Sequence, residues 1–317
     1  MTDHPVKSVR YQRSYSRLSA WAAHLGLALH RALASLPPDF LGKLGPLLGR
    51  MFKHIAPRRR RIADINLKIC FPALSPAERE ALLTRHFESL GMSFLEASLA
   101  WWAPRDKLRV LVDVHGTEHL EAAARDGSGV ILLGAHYTTL EISGPMMALF
   151  SPIPITAVYR PHEHPVIDGI ATEQRRSRIG AAIPRDDIKA TVRALQDGRT
   201  VWFASDQNFG LRHSVFSPFF GVLAATNPAP ARLAKLSGAR VVPFVSERLS
   251  YHPLRYRLTI LPALEDFPTN DPQQDMDRIN MLIEEQVRRM PEQYLWIHRR
   301  FKDRPPGEPS FYDGSER

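Results

Sequence analysis

Residues 130–144 read VILLGAHYTTLEISG, and the change of pattern inside this stretch decides the fold. Val130, Ile131, Leu132 and Leu133 form a short apolar run of the kind that makes a buried strand, and Thr138 to Glu141 reads as the first turn of a helix. His136 stands in the connection between them. Two residues five apart on one ideal helix point about 140° away from each other, so His136 and Glu141 meet only if the glutamate alone is helical. Thr138 to Glu141 is a T-x-x-E capping-box pattern, with Thr138 at the N-cap and Glu141 at N3, which directs the carboxylate back toward the histidine. A base and its orienting carboxylate would then stand at a strand-to-helix corner. The plainer reading stands beside it: Glu141 only caps the helix and His136 is a polar loop residue.

Downstream, strand and helix patterns alternate. ITAVYR at 155–160 is a strand, 167–178 a helix and AAIPR at 181–185 a short strand. A helix near 188–196, the strand TVWFAS at 200–205, a helix near 228–237 and the strand RVVPFVS at 240–246 follow, with another strand at 255–261. Asn270 or Asp271 opens a last helix with Pro272 near its start. This alternation predicts an α/β fold: a mixed, mainly parallel sheet flanked by helices. Upstream, SPAEREALLTRHFESLGMSFLEASLAWW at 75–102 is a helix capped by Ser75, with Pro76 at its first position and Glu78 closing a capping box. Gly91 weakens it locally, and His86 reads as a packing residue.

The N-terminal region is different in kind. Lys7, Arg10, Arg13 and Arg17 precede LSAWAAHLGLALHRALASL at 18–36, a length that just spans a bilayer. His24, His30 and Arg31 interrupt it, and an arginine well inside a span costs about 2.5–3.5 kcal/mol. The preferred reading is a membrane-associating helix lying at the interface, its basic flank toward lipid headgroups, with a single span as the alternative. Residues 1–40 are thus expected to be the basic flank and this helix, and 41–317 the main domain. The cluster Arg58 to Arg61 suits phosphates, a membrane or simply water.

Lysine and arginine exceed acids by 42 to 33 in the 317 residues, a net charge of +9 that favours anionic partners without choosing among them. One cysteine, Cys70, excludes an intramolecular disulfide and a cysteine-based metal cluster; it reads as a buried apolar residue. There is no Walker-A loop, no G-x-G-x-x-G after a strand and no G-x-S-x-G elbow. His162-Glu163-His164 lacks the spacing of a helical metal site and lies between prolines. What remains is a histidine beside a carboxylate without an evident nucleophile. That suits direct transfer, in which the base deprotonates an acceptor hydroxyl that attacks an already activated acyl group.

GAHYTTLE, VYRP at 158–161, EQRRSRIGAAIPR at 173–185, FASDQNFG at 203–210, PFFGVLAAT at 218–226, VVPF at 241–244 and YLWIHRRFK at 294–302 together resemble the late acyltransferases of lipid A biosynthesis. This is the lauroyl/myristoyl transferase family within the glycerolipid-acyltransferase superfamily, and the likeness covers nearly the whole chain. The resemblance implies that His136 and Glu141 are the catalytic H-x-x-x-x-[DE] pair, with Arg160, Arg185 and Asp206 binding substrate. Asp206-Gln207 replaces the P-E-G block of glycerol-phosphate enzymes, so phosphate contacts there do not carry over. It further implies acyl transfer from an acyl carrier protein thioester to a hydroxyl of an acyl chain on a lipid A precursor, at the cytoplasmic face of the inner membrane. No cofactor and no metal is expected. Arg175, Arg176 and Arg178 suit an acidic carrier protein or lipid headgroups. An acyltransferase for another glycolipid or phospholipid is the near alternative. A basic nucleic-acid-binding protein is disfavoured by the lack of a recognisable binding motif; a membrane scaffold predicts that His136 is dispensable.

Overall fold

The computed structural model describes residues 17–312. Four helices come first: α1 (Arg17–Leu33), α2 (Pro38–Ile55), α3 (Pro57–Cys70) and α4 (Pro76–Trp102). The α/β part follows as α5 (Arg105–Arg109), β1 (Val112–His115), α6 (Thr117–Ala124), β2 (Val130–Gly134), α7 (Leu140–Ala148), β3 (Ile155–Tyr159), α8 (Pro165–Ile179), β4 (Gly180–Pro184), α9 (Ile188–Gln196) and β5 (Thr200–Ala204). The chain continues through β6 (Val215–Phe219), β7 (Val222–Thr226), α10 (Ala229–Ser237), β8 (Arg240–Tyr251), β9 (Leu254–Ile260) and α11 (Pro272–Arg289).

Seven strands form one sheet in the order β1-β9-β8-β2-β5-β3-β4. Neighbours are parallel except β8 and β9, which are antiparallel. The expected mixed, mainly parallel sheet is therefore present. At its centre β2 is buried at every residue, as a strand covered by helices on both faces must be. Its backbone pairs with β8 through Leu132 and Val242 and with β5 through Leu132 and Trp202. One apolar core lies on each face, the first around Ile131, Leu133 and Val201, the second around Leu132, Ile142 and Val242.

Helix α4 is the long brace against which the other N-terminal helices rest. Ser75 accepts from the Glu78 backbone N–H and Glu78 accepts from the Ser75 N–H, the reciprocal cap read from the sequence. Gly91, expected to be a weak point, instead lets α2 approach: a Cβ there would collide with the Gly45 carbonyl and the Gly49 backbone. His86 is fully buried and bonded to the Glu292 carbonyl, and Cys70 is buried, both as read.

Several expectations change. β1, α6 and the β6–β7 hairpin were not foreseen, and β8 runs on to Tyr251, past 246. No helix among the described residues is long and apolar enough to cross a membrane, so the single-span option for 18–36 is not carried. Instead α1 is two-faced. His30 turns inward, where it accepts from the Trp102 indole at 3.2 Å, while Trp21, Leu25 and Leu29 are exposed at 75%, 64% and 62%. The basic residues Lys7, Arg10 and Arg13 lie outside the described residues.

Candidate active site

His136 sits just past the C-terminal end of β2 and Asp206 just past that of the neighbouring β5, the edge where open α/β sheets bind ligands. The two meet. His136 Nδ1 is 2.7 Å from Asp206 Oδ1, and the His136 backbone N–H donates to Asp206 Oδ2 at 2.9 Å. Asp206 is 2% exposed. Its burial favours the neutral acid, but the His136 charge and hydrogen bonds outweigh that and hold its carboxyl below the usual range. Burial likewise opposes charging His136, and the carboxylate overcomes it, raising the imidazole pKa. An ionised Asp206 only accepts, so Nδ1 carries the proton and Nε2 keeps its lone pair.

The orienting carboxylate on His136 is therefore Asp206, in place of the expected Glu141, and Asp206 is turned toward the histidine instead of a substrate. The reason lies in the first turn of α7. Its N-cap is Thr139, with no side-chain cap bond, so the expected capping box does not form and Glu141 stands at N2. Both threonine hydroxyls are engaged elsewhere: Thr138 with Ser89 at 2.7 Å, Thr139 with the Ser246 hydroxyl at 2.8 Å. A one-residue change of helix position turns a side chain by about 100°. Glu141 thus meets α8 and α4, where Oε1 accepts from Arg175 Nη2 at 2.9 Å and Oε2 from the Trp101 indole at 3.3 Å.

A cavity of about 260 Å³ joins these groups, lined by His136, Glu141, Tyr159, Arg160 and Arg175 at one side and by Leu132, Met147, Ile155 and Phe244 within. Arg160 is exposed at its rim. Arg185 is elsewhere: it follows β4, is half-exposed, and lies 3.6 Å from Asp186. Arg175 moves from the proposed carrier-protein contact into the cavity wall, with Nη1 buried and unpartnered by protein. Its signal was the spacing Ala171, Arg175, Ile179, which sets all three on the inward face of α8. Arg178 donates to the Ala103 carbonyl at 2.5 Å, and Arg300 is buried against Ala225 and Thr226.

A segment after α11 holds the His136 and Asp206 loops together. The Leu295 N–H donates to the His136 carbonyl at 3.0 Å, Thr138 donates to the Gln293 carbonyl at 2.7 Å, and the Tyr294 hydroxyl donates to the Asp206 carbonyl at 3.3 Å. His298 accepts from the Asn208 N–H at 3.1 Å. Burial pushes its imidazole down to about 4, keeping it the neutral acceptor this bond needs.

A histidine hydrogen-bonded to a buried carboxylate beside a cavity lined by apolar residues is chemically suited to proton transfer next to an apolar substrate. Residues 9–303 match the family model described as bacterial lipid A biosynthesis acyltransferase. The chain belongs to that family. It is an acyltransferase. Among its relatives is the lipid A biosynthesis palmitoleoyltransferase of Escherichia coli (strain K12), 38% identical over 305 residues, covering 96% of this chain and 98% of that one. The lauroyltransferase of the same organism is 36% identical, covering 92% and 95% of the two chains, and its myristoyltransferase is 34% identical, covering 94% and 92%. The solved 1-acyl-sn-glycerophosphate acyltransferase PlsC from Thermotoga maritima covers 77% of this chain and 97% of its own at 13% identity. Its TM-score of 0.39 is too low to bear on the site.

Proposed function

We propose that the chain transfers a fatty acyl group from an acyl carrier protein thioester to a hydroxyl of an acyl chain on a phosphorylated lipid A precursor. The observation that carries this is the Asp206–His136 pair beside a cavity whose interior is apolar. His136 Nε2 takes the proton of the acceptor hydroxyl as its oxygen attacks the thioester carbonyl. Asp206 stabilises the imidazolium that forms, as the buried aspartate does in hydrolytic triads. Arg175 Nη1, buried without a protein partner, donates to the oxyanion of the tetrahedral intermediate. Glu141 fixes that guanidinium by its ion pair, so its catalytic contribution passes through Arg175. The intermediate collapses by breaking its carbon–sulfur bond, and the imidazolium returns the proton to the leaving thiolate. The thioester supplies the activation, and these steps call for no metal or redox cofactor.

The remaining features suit such a substrate. Arg160 at the rim offers a charged fork to precursor phosphate, and Arg185, one strand further out, extends the same basic edge. The exposed row Trp21, Leu25 and Leu29 on α1, with Leu47, Met51 and Ile55 on α2, suits a helical pair lying on the cytoplasmic face of the inner membrane, where the acceptor lipid is anchored. The deciding experiment incubates purified protein with acyl carrier protein thioesters and a tetraacylated precursor. Transfer by the wild type and none by His136→Ala is expected. Equal transfer by both would falsify the mechanism, and an unchanged lipid A mass spectrum in a deletion strain would favour another glycolipid acceptor.

A further inference from the structure

The lining of the same cavity reaches from one end of the strands toward the other. His136 follows β2 where that strand stops, whereas Ile179 immediately precedes Gly180, where β4 starts, and Ile155 opens β3 opposite Gly180. In a parallel sheet these are opposite edges. Tyr159 and Ile155 both line the cavity and stand four residues apart on β3, about 13 Å at the usual strand rise. The charged groups gather at the histidine edge, and the Ile179 edge is apolar.

At that edge α7 and α8 touch through Gly144 and Ile179. A Cβ built on Gly144 would stand 2.9 Å from Ile179 Cδ1 and 3.6 Å from Cγ1, and outside its own helix and chain neighbours it meets no other residue within 4 Å. The isoleucine side chain therefore occupies the space that any other residue at 144 would claim. Ile179 is half-buried. Both residues line the cavity.

We infer that Ile179, seated over Gly144, is the stop that sets how long an acyl chain the cavity accepts. This rests on the proposed reading of the cavity as the acyl site. Truncating Ile179 opens the floor toward solvent and lengthens the accepted chain. Adding a methyl at Gly144 takes up wall space and displaces Cδ1, which shortens it. The two substitutions shift specificity in opposite directions, which general loosening of the fold does not do. A methylene gained or lost in an apolar pocket changes discrimination by roughly 10–200-fold.

The test is competition among saturated acyl carrier protein thioesters, stepped by two carbons, with the tetraacylated precursor as acceptor. Wild type, Ile179→Ala, Ile179→Val and Gly144→Ala are compared, with His136→Ala as the dead control. Ile179→Ala is expected to raise the ratio of kcat/KM for the next longer donor over the wild-type favourite by at least tenfold, Ile179→Val to move it the same way by less, and Gly144→Ala to lower it. Valine keeps the test readable if the alanine variant folds poorly. Ratios within twofold of wild type in all three variants, with His136→Ala inactive, overturn the stop and leave the mechanism standing. A wild type inert toward every thioester overturns the mechanism and the stop together.

Discussion

Replacing Asp206 by asparagine keeps the shape of the side chain and exchanges one oxygen for an amide. Both carboxylate oxygens are in use, on His136 Nδ1 at 2.7 Å and on the His136 backbone N–H at 2.9 Å. If the amide oxygen stays on Nδ1, the new NH2 faces the backbone N–H, donor against donor. If the amide flips, NH2 faces Nδ1, the imidazole proton moves to Nε2, and the base is lost. Hydrogen bonds to charged groups are worth about 1.5–3 kcal/mol each, so disrupting the pair removes about 3–6 kcal/mol, or roughly 10²–10⁴ in rate at 1.36 kcal/mol per decade. Asparagine in the equivalent place of a hydrolytic triad costs about 10⁴. The expected result in the acyl-transfer assay is kcat lower by roughly 10³, with KM changed only a few-fold. The pH profile sharpens it. In the wild type His136 must be neutral to act, and Asp206 raises its pKa above 6.5, so kcat/KM climbs with pH through a midpoint above that value. In Asp206→Asn the midpoint of the residual activity moves down. A folded variant, by near-UV circular dichroism, with kcat within tenfold of wild type would refute the assignment.

Arg175→Lys keeps a charge but loses the fixed fork; a loss of roughly 10²–10³ in kcat is expected, as for removal of one oxyanion donor, and unchanged single-turnover rates would oppose that role. Arg248 is buried with Glu96, donating through Nε at 2.6 Å and Nη2 at 2.8 Å. Arg248→Met leaves Glu96 buried without its cation, keeping the Tyr256 hydroxyl at 2.7 Å, a cost of about 3–5 kcal/mol, read as a lower urea midpoint; a shift under about 1 kcal/mol counts against it. Asp206, with its depressed pKa, adds stability that is present above the ordinary carboxylate value and lost as pH falls through the folded one. The gap in unfolding free energy between wild type and Asp206→Asn is accordingly expected to be present at pH 7 and to close in strong acid. Asparagine at Trp21, Leu25 and Leu29 together is expected to weaken binding to vesicles containing anionic lipid by at least tenfold, since a fully buried apolar side chain is worth about 1.5–3 kcal/mol. Equal flotation of the triple variant would remove α1 from the membrane contact.

The strands β2, β3, β4 and β5 were legible because their apolar runs are short and bounded by turn residues. β1, with the pattern VDVH, is too short and too mixed to stand out. The β6–β7 hairpin hides a proline in one strand and joins the other through Phe220-Gly221. At the site His136 was legible from its place after a buried strand. Its carboxylate was not, because Asp206 is seventy positions away and only the pairing of β2 with β5 brings it near. The contact of Glu141 differs from the expected one through a single step in helix phase: the local pattern favours Thr138 as cap, whereas the cap is Thr139 and the two threonine hydroxyls bond to α4 and β8, partners invisible in local sequence.

The clamp formed by Gln293, Tyr294, Leu295 and His298 has a temporal side. Every strand of the sheet precedes these residues in the chain, so a ribosome delivers them after the strands. A nascent polypeptide can assemble β2 beside β5 while the loops bearing His136 and Asp206 still lack the bonds that fix them. On the proposed reading, the final alignment of the base is therefore set only after the strands of the sheet have been made. A chain ended before residue 293 is expected to form the His136–Asp206 pair without its clamp, and on the proposed reading to transfer acyl groups more slowly than the full chain.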